Sequence, residues 1–179
     1  FKKISNSTIK TWCKILNSGN SRLILKNSVS INIRRSKEIL INKFIKEKVD
    51  IKKIVIIDTE IKINDHLECY NKVDLALDTF PYPGVTTTFE SILMGVPVLT
   101  MKGFNFNSRC GESININLGL NELIADSEND YVTRALEMQN NKKKLIEMKK
   151  SLIGKVKNSA LFNTKLFAND FSHLLKNLV

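Results

Sequence analysis

A chain of 179 residues, 42% of them hydrophobic, has the size of one domain and enough apolar material for a core. Charges interrupt every apolar stretch before it reaches the roughly 18 residues that a membrane helix needs. A helical membrane span is therefore excluded, and with no charged-then-apolar leader a soluble, cytoplasmic protein is expected. The net charge of +10 admits nucleic acid, membrane phosphate or a small anion as partner. The basic residues are mostly Lys, however, and run along helical stretches such as Lys142 to Lys150 without interleaved aromatics, a pattern of solvated helix faces that makes nucleic acid the weaker reading.

In chain order, Ser7 to Leu16 sets Ile9, Trp12, Cys13 and Leu16 at helical spacing, with Ser5 or Ser7 as the cap. Arg22 to Leu25 reads as a strand, and Glu38 to Lys48 as a helix burying Ile39, Leu40, Phe44 and Ile45. Ile54 to Ile57 is a β-branched run that suits a buried strand. The cycle then repeats: helix Asp65 to Lys72, strand Val73 to Leu77, helix Thr86 to Met94, and strand Val96 to Thr100. Next come helix Gly111 to Leu118, a short strand Leu123 to Ala125, and helices over Glu128 to Gln139, Lys142 to Leu152 and Thr164 to Leu178. Strands alternating with helices predict an α/β fold, a Rossmann-like parallel sheet with helices on both faces and a helical C-terminus. No linker divides it, so residues 1–179 are read as one unit, and a first residue Phe1 rather than Met points to further chain upstream.

Cys13, Cys69 and Cys110 are odd in number and widely spaced, which suits reduced thiols rather than a disulfide framework or zinc site. His66 and His173 are the two imidazoles, and neither has an acidic cluster beside it in sequence, so no metal site is expected. His173 reads as a surface or helix-packing residue.

The stretch "FPYPGVTTTFESILMGVPVLTM", Phe80 to Met101, follows the strand ending at Leu77. In parallel sheets ligands bind beyond the carboxyl ends of the strands, so this loop stands where function is expected. A helix opening near Thr86 has unpaired N–H groups and a partial positive charge in its first turn. Gly84 permits close approach of the backbone, the hydroxyls of Thr86, Thr87 and Thr88 add donors, and a phosphate or diphosphate is the natural guest. Glu90, placed on the first turn, is positioned to accept hydrogen bonds from sugar hydroxyls. The same residues also form the pattern of a capping box, Thr87-x-x-Glu90, which needs no ligand. Neither a P-loop nor a G-x-G-x-x-G fingerprint is present.

"YNKVDLALDTFPYPGVTTTFESILMGVPVLT" followed by "SRCGESININLGLNELIADSENDYV" resembles the C-terminal catalytic half of the O-linked N-acetylglucosamine transferase family, the SPINDLY-like glycosyltransferases. The likeness extends to "KISNSTIKTWCKILNSGNSRLILK" and "LFNTKLFANDF", and so covers nearly the whole chain. It implies the C-terminal lobe of a GT-B glycosyltransferase, one of two Rossmann-like lobes that hold a sugar nucleotide between them. By that resemblance the Gly84 to Thr87 turn holds the diphosphate, Glu90 contacts the ribose, His66 lies near the uridine, and Lys3 is the diphosphate-binding lysine. A cation at Lys3 neutralises charge that develops on departing UDP. Arg109 matches a family motif and is read as structural or as a support standing behind the ligand-binding residues. Pro83 and Val85 depart from the family's usual Asn and Gly or His, and Val85 removes a side-chain donor; Ala160 replaces a proline in a turn.

The leading expectation is therefore the donor-binding lobe of an inverting, metal-independent transferase with no cofactor, moving N-acetylglucosamine from UDP-GlcNAc onto protein Ser/Thr. Its implied partners are the UDP-sugar donor, a protein acceptor, a missing N-terminal catalytic lobe and tetratricopeptide repeats, and the fragment alone is expected to be inactive. The alternatives are UDP-glucose transfer to protein or glycan, and a noncatalytic basic binding module.

Overall fold

Helix α1 (Asn6–Ser18) opens on Ser5, whose hydroxyl accepts from the Thr8 amide; Ser5, and not Ser7, is the cap. The computed structural model describes residues 3–27, 33–58 and 63–178. The expected apolar face of α1 is buried, with Ile15 added to Ile9, Trp12, Cys13 and Leu16. Beyond it come β1 (Leu23–Asn27), α2 (Ile33–Lys46), β2 (Ile54–Asp58), α3 (Ile63–Glu68), β3 (Ala76–Leu77) and α4 (Thr86–Leu93). The second half holds β4 (Val98–Met101), α5 (Cys110–Asn117), β5 (Ile124–Ala125), α6 (Glu128–Asn140), α7 (Lys142–Asn158) and α8 (Thr164–Lys176).

All strand pairing is parallel, as helices between successive strands require. Leu23 to Asn27 face Ile54 to Asp58 in register, and β4 lies between β3 and β5, with Ala76 opposite Val98 and Thr100 opposite Ile124. Backbone bonds prolong the second ladder: the Asp78 amide donates to Leu99 O (2.9 Å) and the Lys102 amide to Ala125 O (2.8 Å). The carboxyl ends of β3, β4 and β5 thus lie along one edge. Helix α1 packs on α6, α4 on α7, and α5 and α6 both lie against β4.

Several boundaries differ from the sequence reading for local reasons. β3 starts at Ala76 rather than Val73, because the Val73 amide turns back to Tyr70 O and closes a 3₁₀ turn over Cys69–Lys72. β4 starts at Val98 rather than Val96: Pro97 has no amide hydrogen, and the Val96 amide donates to Ser91 O. That last bond, with Gly95 N–H to Ile92 O, ends α4 as a glycine cap at φ 74°, where a side chain would be strained. Helix α7 continues past Leu152 to Asn158, with Leu145, Met148, Leu152 and Val156 inward.

In α2 the expected four-residue stripe is narrower. Leu40 and Phe44 are buried, whereas Ile39 and Ile45 are 52% and 51% exposed. Residues i and i+4 share a line, and the neighbours just before and just after them turn about 100° away on either side. Phe44→Ala is expected to cost about 3–5 kcal/mol of stability, and Ile45→Ala under about 1 kcal/mol, both measured by chemical denaturation.

Candidate functional site

The loop between β3 and α4 is built around the carboxylate of Asp78, which is 7% exposed. Its Oδ1 accepts from the amides of Gly84 (2.6 Å) and Thr79 (3.0 Å), and its Oδ2 accepts from the Thr100 hydroxyl (3.0 Å). Burial pushes the Asp78 carboxyl up to about 6, opposed by those three donors and by the charge of Lys3. Behind it the Tyr131 hydroxyl of α6 donates to the backbone oxygens of Asp78 (2.9 Å) and Leu99 (3.2 Å). Burial holds that phenol well above its ordinary range.

Gly84 is required here by space. A Cβ on it would lie 2.4 Å from Thr87 Oγ1 and 2.9 Å from Thr88 Oγ1. Gly111, at the start of α5, fits as closely, since its Cβ would lie 2.3 Å from Thr100 Oγ1 and 2.8 Å from Asp78 Oδ2. Two helix starts therefore converge on one carboxylate.

Thr86 and Thr87 are exposed, whereas Thr88 is buried. The capping box is not formed. The N-cap of α4 is Val85, with no side-chain cap bond, so Thr87 lies inside the helix. Glu90 is the fifth residue of α4 rather than a first-turn residue, and its carboxylate turns to His66. The first intrahelical bond runs from Phe89 N–H to Val85 O. The amides of Thr86, Thr87 and Thr88 precede that ladder, at the electropositive end of the helix, with two free-standing hydroxyls beside them.

On one side of this turn stands Lys3. Its exposed ammonium lies 4.4 Å from the centre of the Tyr82 ring, and its field reaches Asp78. Ser5 Oγ (2.9 Å) and Thr8 Oγ1 (2.8 Å) both donate to Phe80 O and tie the segment that carries Lys3 to the loop. Glu128 of α6 accepts from Ser7 and Thr11, which fixes α1 from its other side.

Toward the C-terminal side of the turn, His66 Nε2 donates to Glu90 Oε2 at 2.9 Å, each side chain 28% exposed. Lys26, at the end of β1, donates to His66 Nδ1, so Nε2 is the ring nitrogen turned to Glu90. Tyr70 packs edge-on to His66 and donates to Thr87 O (3.2 Å). Its hydroxyl is pushed up to about 12 by burial and then by the Glu90 charge. The structure thus gathers Gly84, the three threonines, Glu90 and His66 around α4, with Lys3 at the far end of the same loop.

Asp78, Lys26, Tyr70 and Tyr131 were not singled out from sequence. Only Asp78 carried a signal, as an acidic residue at the carboxyl end of a buried strand. Arg109, the N-cap of α5, is paired with Glu112 of that helix (2.7 and 3.0 Å). The hydrogen bond from Arg109 holds the Glu112 carboxyl below its ordinary value. His173 lies exposed on α8, and none of the three cysteines forms a disulfide, Cys13 being buried and the other two partly so.

Comparison with known proteins gives a consistent result. The sequence profile of glycosyl transferase family 41 matches residues 1–171. A protein of Oryza sativa subsp. japonica, described as a probable UDP-N-acetylglucosamine–peptide N-acetylglucosaminyltransferase SPINDLY, is 33% identical over 98% of this chain and 19% of its own length. The UDP-N-acetylglucosamine–peptide N-acetylglucosaminyltransferase of Caenorhabditis elegans is 28% identical over 97% of this chain and 15% of its own length. A solved structure of a Thermobaculum terrenum O-GlcNAc transferase mutant superposes with a TM-score of 0.90 at 25% identity, covering 98% of this chain and 34% of that one. The fold is that of a lobe of such an enzyme, and the chain spans about a fifth of the length of the curated relatives it matches.

The raised Asp78 carboxyl makes folding stability depend on pH with a definite sign. The folded state holds its proton up to about pH 6, whereas an unfolded Asp releases it near 3.8, so this contribution is full below the lower value and is lost as pH rises through 6. Relative to Asp78→Asn, the native protein is expected to lose roughly 2 kcal/mol between pH 4 and pH 7, at about 1.4 kcal/mol per pKa unit over the full span. Urea denaturation of both proteins across that range measures it.

Proposed function

Because the chain belongs to glycosyl transferase family 41, we propose that it is the donor-binding lobe of a transferase that moves N-acetylglucosamine from UDP-GlcNAc onto protein hydroxyls. The observation that carries this reading is the open start of α4: a valine N-cap without a side-chain cap, exposed Thr86 and Thr87, and Gly84 tucked beneath them. Backbone amides at such a helix end suit a diphosphate. Lys3 adds a cation at the same loop, where negative charge develops on the β-phosphate as the glycosidic bond to UDP breaks. In this reading Lys3 and the α4 amides carry the diphosphate charge, and neither a metal nor a cofactor is required.

His66 and Glu90 are proposed to serve the nucleoside. The paired side chains lie one helical turn beyond the phosphate turn, the distance at which a ribose and then a base would follow. Glu90 accepts from ribose hydroxyls, and His66 stacks on or bonds to uracil. Val85 contributes no side-chain donor, so the threonine hydroxyls and amides carry more of the phosphate recognition.

The relatives' greater length supports a further part of the proposal: the other catalytic lobe and the tetratricopeptide repeats belong to the protein outside this stretch, and the acceptor site lies mainly there. A cytoplasmic site of action accords with the reading; among the described residues no helix is long and apolar enough to cross a membrane.

Calorimetric titration of the full-length protein with UDP tests the assignment. Micromolar binding is expected, with Thr87→Ala and Lys3→Ala each weakening it about tenfold, in line with the loss of one charge-assisted contact. Absence of binding at millimolar UDP, or indifference to both substitutions, rejects it. In the same protein, UDP-GlcNAc is expected to compete better than UDP-glucose for the site.

A further inference from the structure

A buried carboxylate directly beneath a diphosphate turn is an electrostatic contradiction. The chemistry above calls for positive charge, yet the side chain bonded to the Gly84 amide at 2.6 Å is an acid. Three features of the geometry resolve it. Oδ1 holds two backbone amides, those of Gly84 and Thr79, and neither bond depends on whether the other oxygen carries a proton. Oδ2 faces a single hydroxyl, that of Thr100, which can turn from donor to acceptor when Oδ2 is protonated. Among the described residues the cation whose field reaches the group is Lys3, from the segment before α1.

We propose that Asp78 is the positioning residue of the donor site: it sets the phosphate turn through Oδ1 and takes up a proton on Oδ2 when the diphosphate arrives. The inference rests on the donor-binding reading above. With Gly84 misplaced, the Thr87 hydroxyl that packs on it loses its seat, so the effect reaches the ligand through Gly84 and not by contact with it. The charge argument is equally local. An unliganded carboxyl already raised to about 6 by burial meets two further negative charges and rises again, so a proton from solvent moves to Oδ2 near neutral pH. The other described groups packed around Asp78 are Tyr131 from α6, which stays neutral, Thr100 from β4 and Gly111 from α5, so among the described residues there no second acid or base answers for such a proton.

The test is the affinity of the full-length protein for UDP-GlcNAc between pH 5 and pH 8, a donor whose esterified diphosphate does not titrate in that range. Asp78→Ala, which releases both amides, is expected to weaken binding tenfold or more at pH 7.5. Asp78→Asn keeps an oxygen for the two amides and carries no charge, so it is expected to bind about three- to tenfold tighter than the native protein at pH 8, the ratio shrinking toward one at pH 5. Unaltered affinity of Asp78→Ala, or a ratio that does not change with pH, overturns the inference. If Asp78→Ala does not fold, the Asp78→Asn ratio decides alone. Should Thr87→Ala weaken binding while both Asp78 variants behave as the native protein, this inference falls and the donor site stands; should the native protein not bind UDP-GlcNAc, both fall.

Discussion

The first turn of α4 presents amides that precede its hydrogen-bonded ladder, and its N-cap, Val85, makes no side-chain cap bond to them. In most helices a Ser, Thr, Asp or Asn at the N-cap satisfies one of these donors, a contribution of about 1 kcal/mol. Valine cannot. Gly84, just before it, has its own amide committed to Asp78, so the backbone leading into the amides of Thr86 and Thr87 is held in place. A stable fold that leaves such donors uncapped at the carboxyl edge of a parallel sheet is poised for an anion, and each further feature of the site acts on that end.

Two side clusters complete it, and the sheet is what brings them together. Lys3 lies more than seventy residues from Tyr82 in sequence, yet Ser5 and Thr8 bond the backbone of Phe80 and bring the lysine to the loop. His66 arrives from α3, the helix after β2, and meets Glu90 of α4 by a contact between helices rather than sequence neighbourhood. Cation, amides and hydroxyls thus meet at the start of α4, and the Glu90–His66 pair lies about one turn along it. The basic helix faces of α7 have no share in this arrangement, so the charge that dominates the composition has little to do with the site.

The threonine turn was legible in the sequence because its signals are local: prolines and a glycine after a β-branched strand, then three hydroxyl residues before an apolar helix. The parallel architecture was legible for the same reason, from strands alternating with helices. What stayed hidden depends on distant partners. Asp78 shows its role only when Thr100 and Gly111 arrive from β4 and α5, and Lys26 only when His66 is placed beside the end of β1. The capping box misled because Thr87 and Glu90 have the right spacing in the wrong frame: the helix starts two residues earlier than a Thr87 cap requires. In α2 periodicity found the helix but overstated its buried width, since the exposure of Ile39 and Ile45 is set by which neighbours they meet.

The central claim is that the amides opening α4 receive the donor's diphosphate. Full-length protein labelled with ¹⁵N at Gly and Thr reports on it directly when titrated with UDP-GlcNAc. The account predicts that the Gly84, Thr86 and Thr87 amide signals move together and saturate with the donor. Movement confined to other glycines and threonines, with those three signals unmoved at saturating donor, would contradict it.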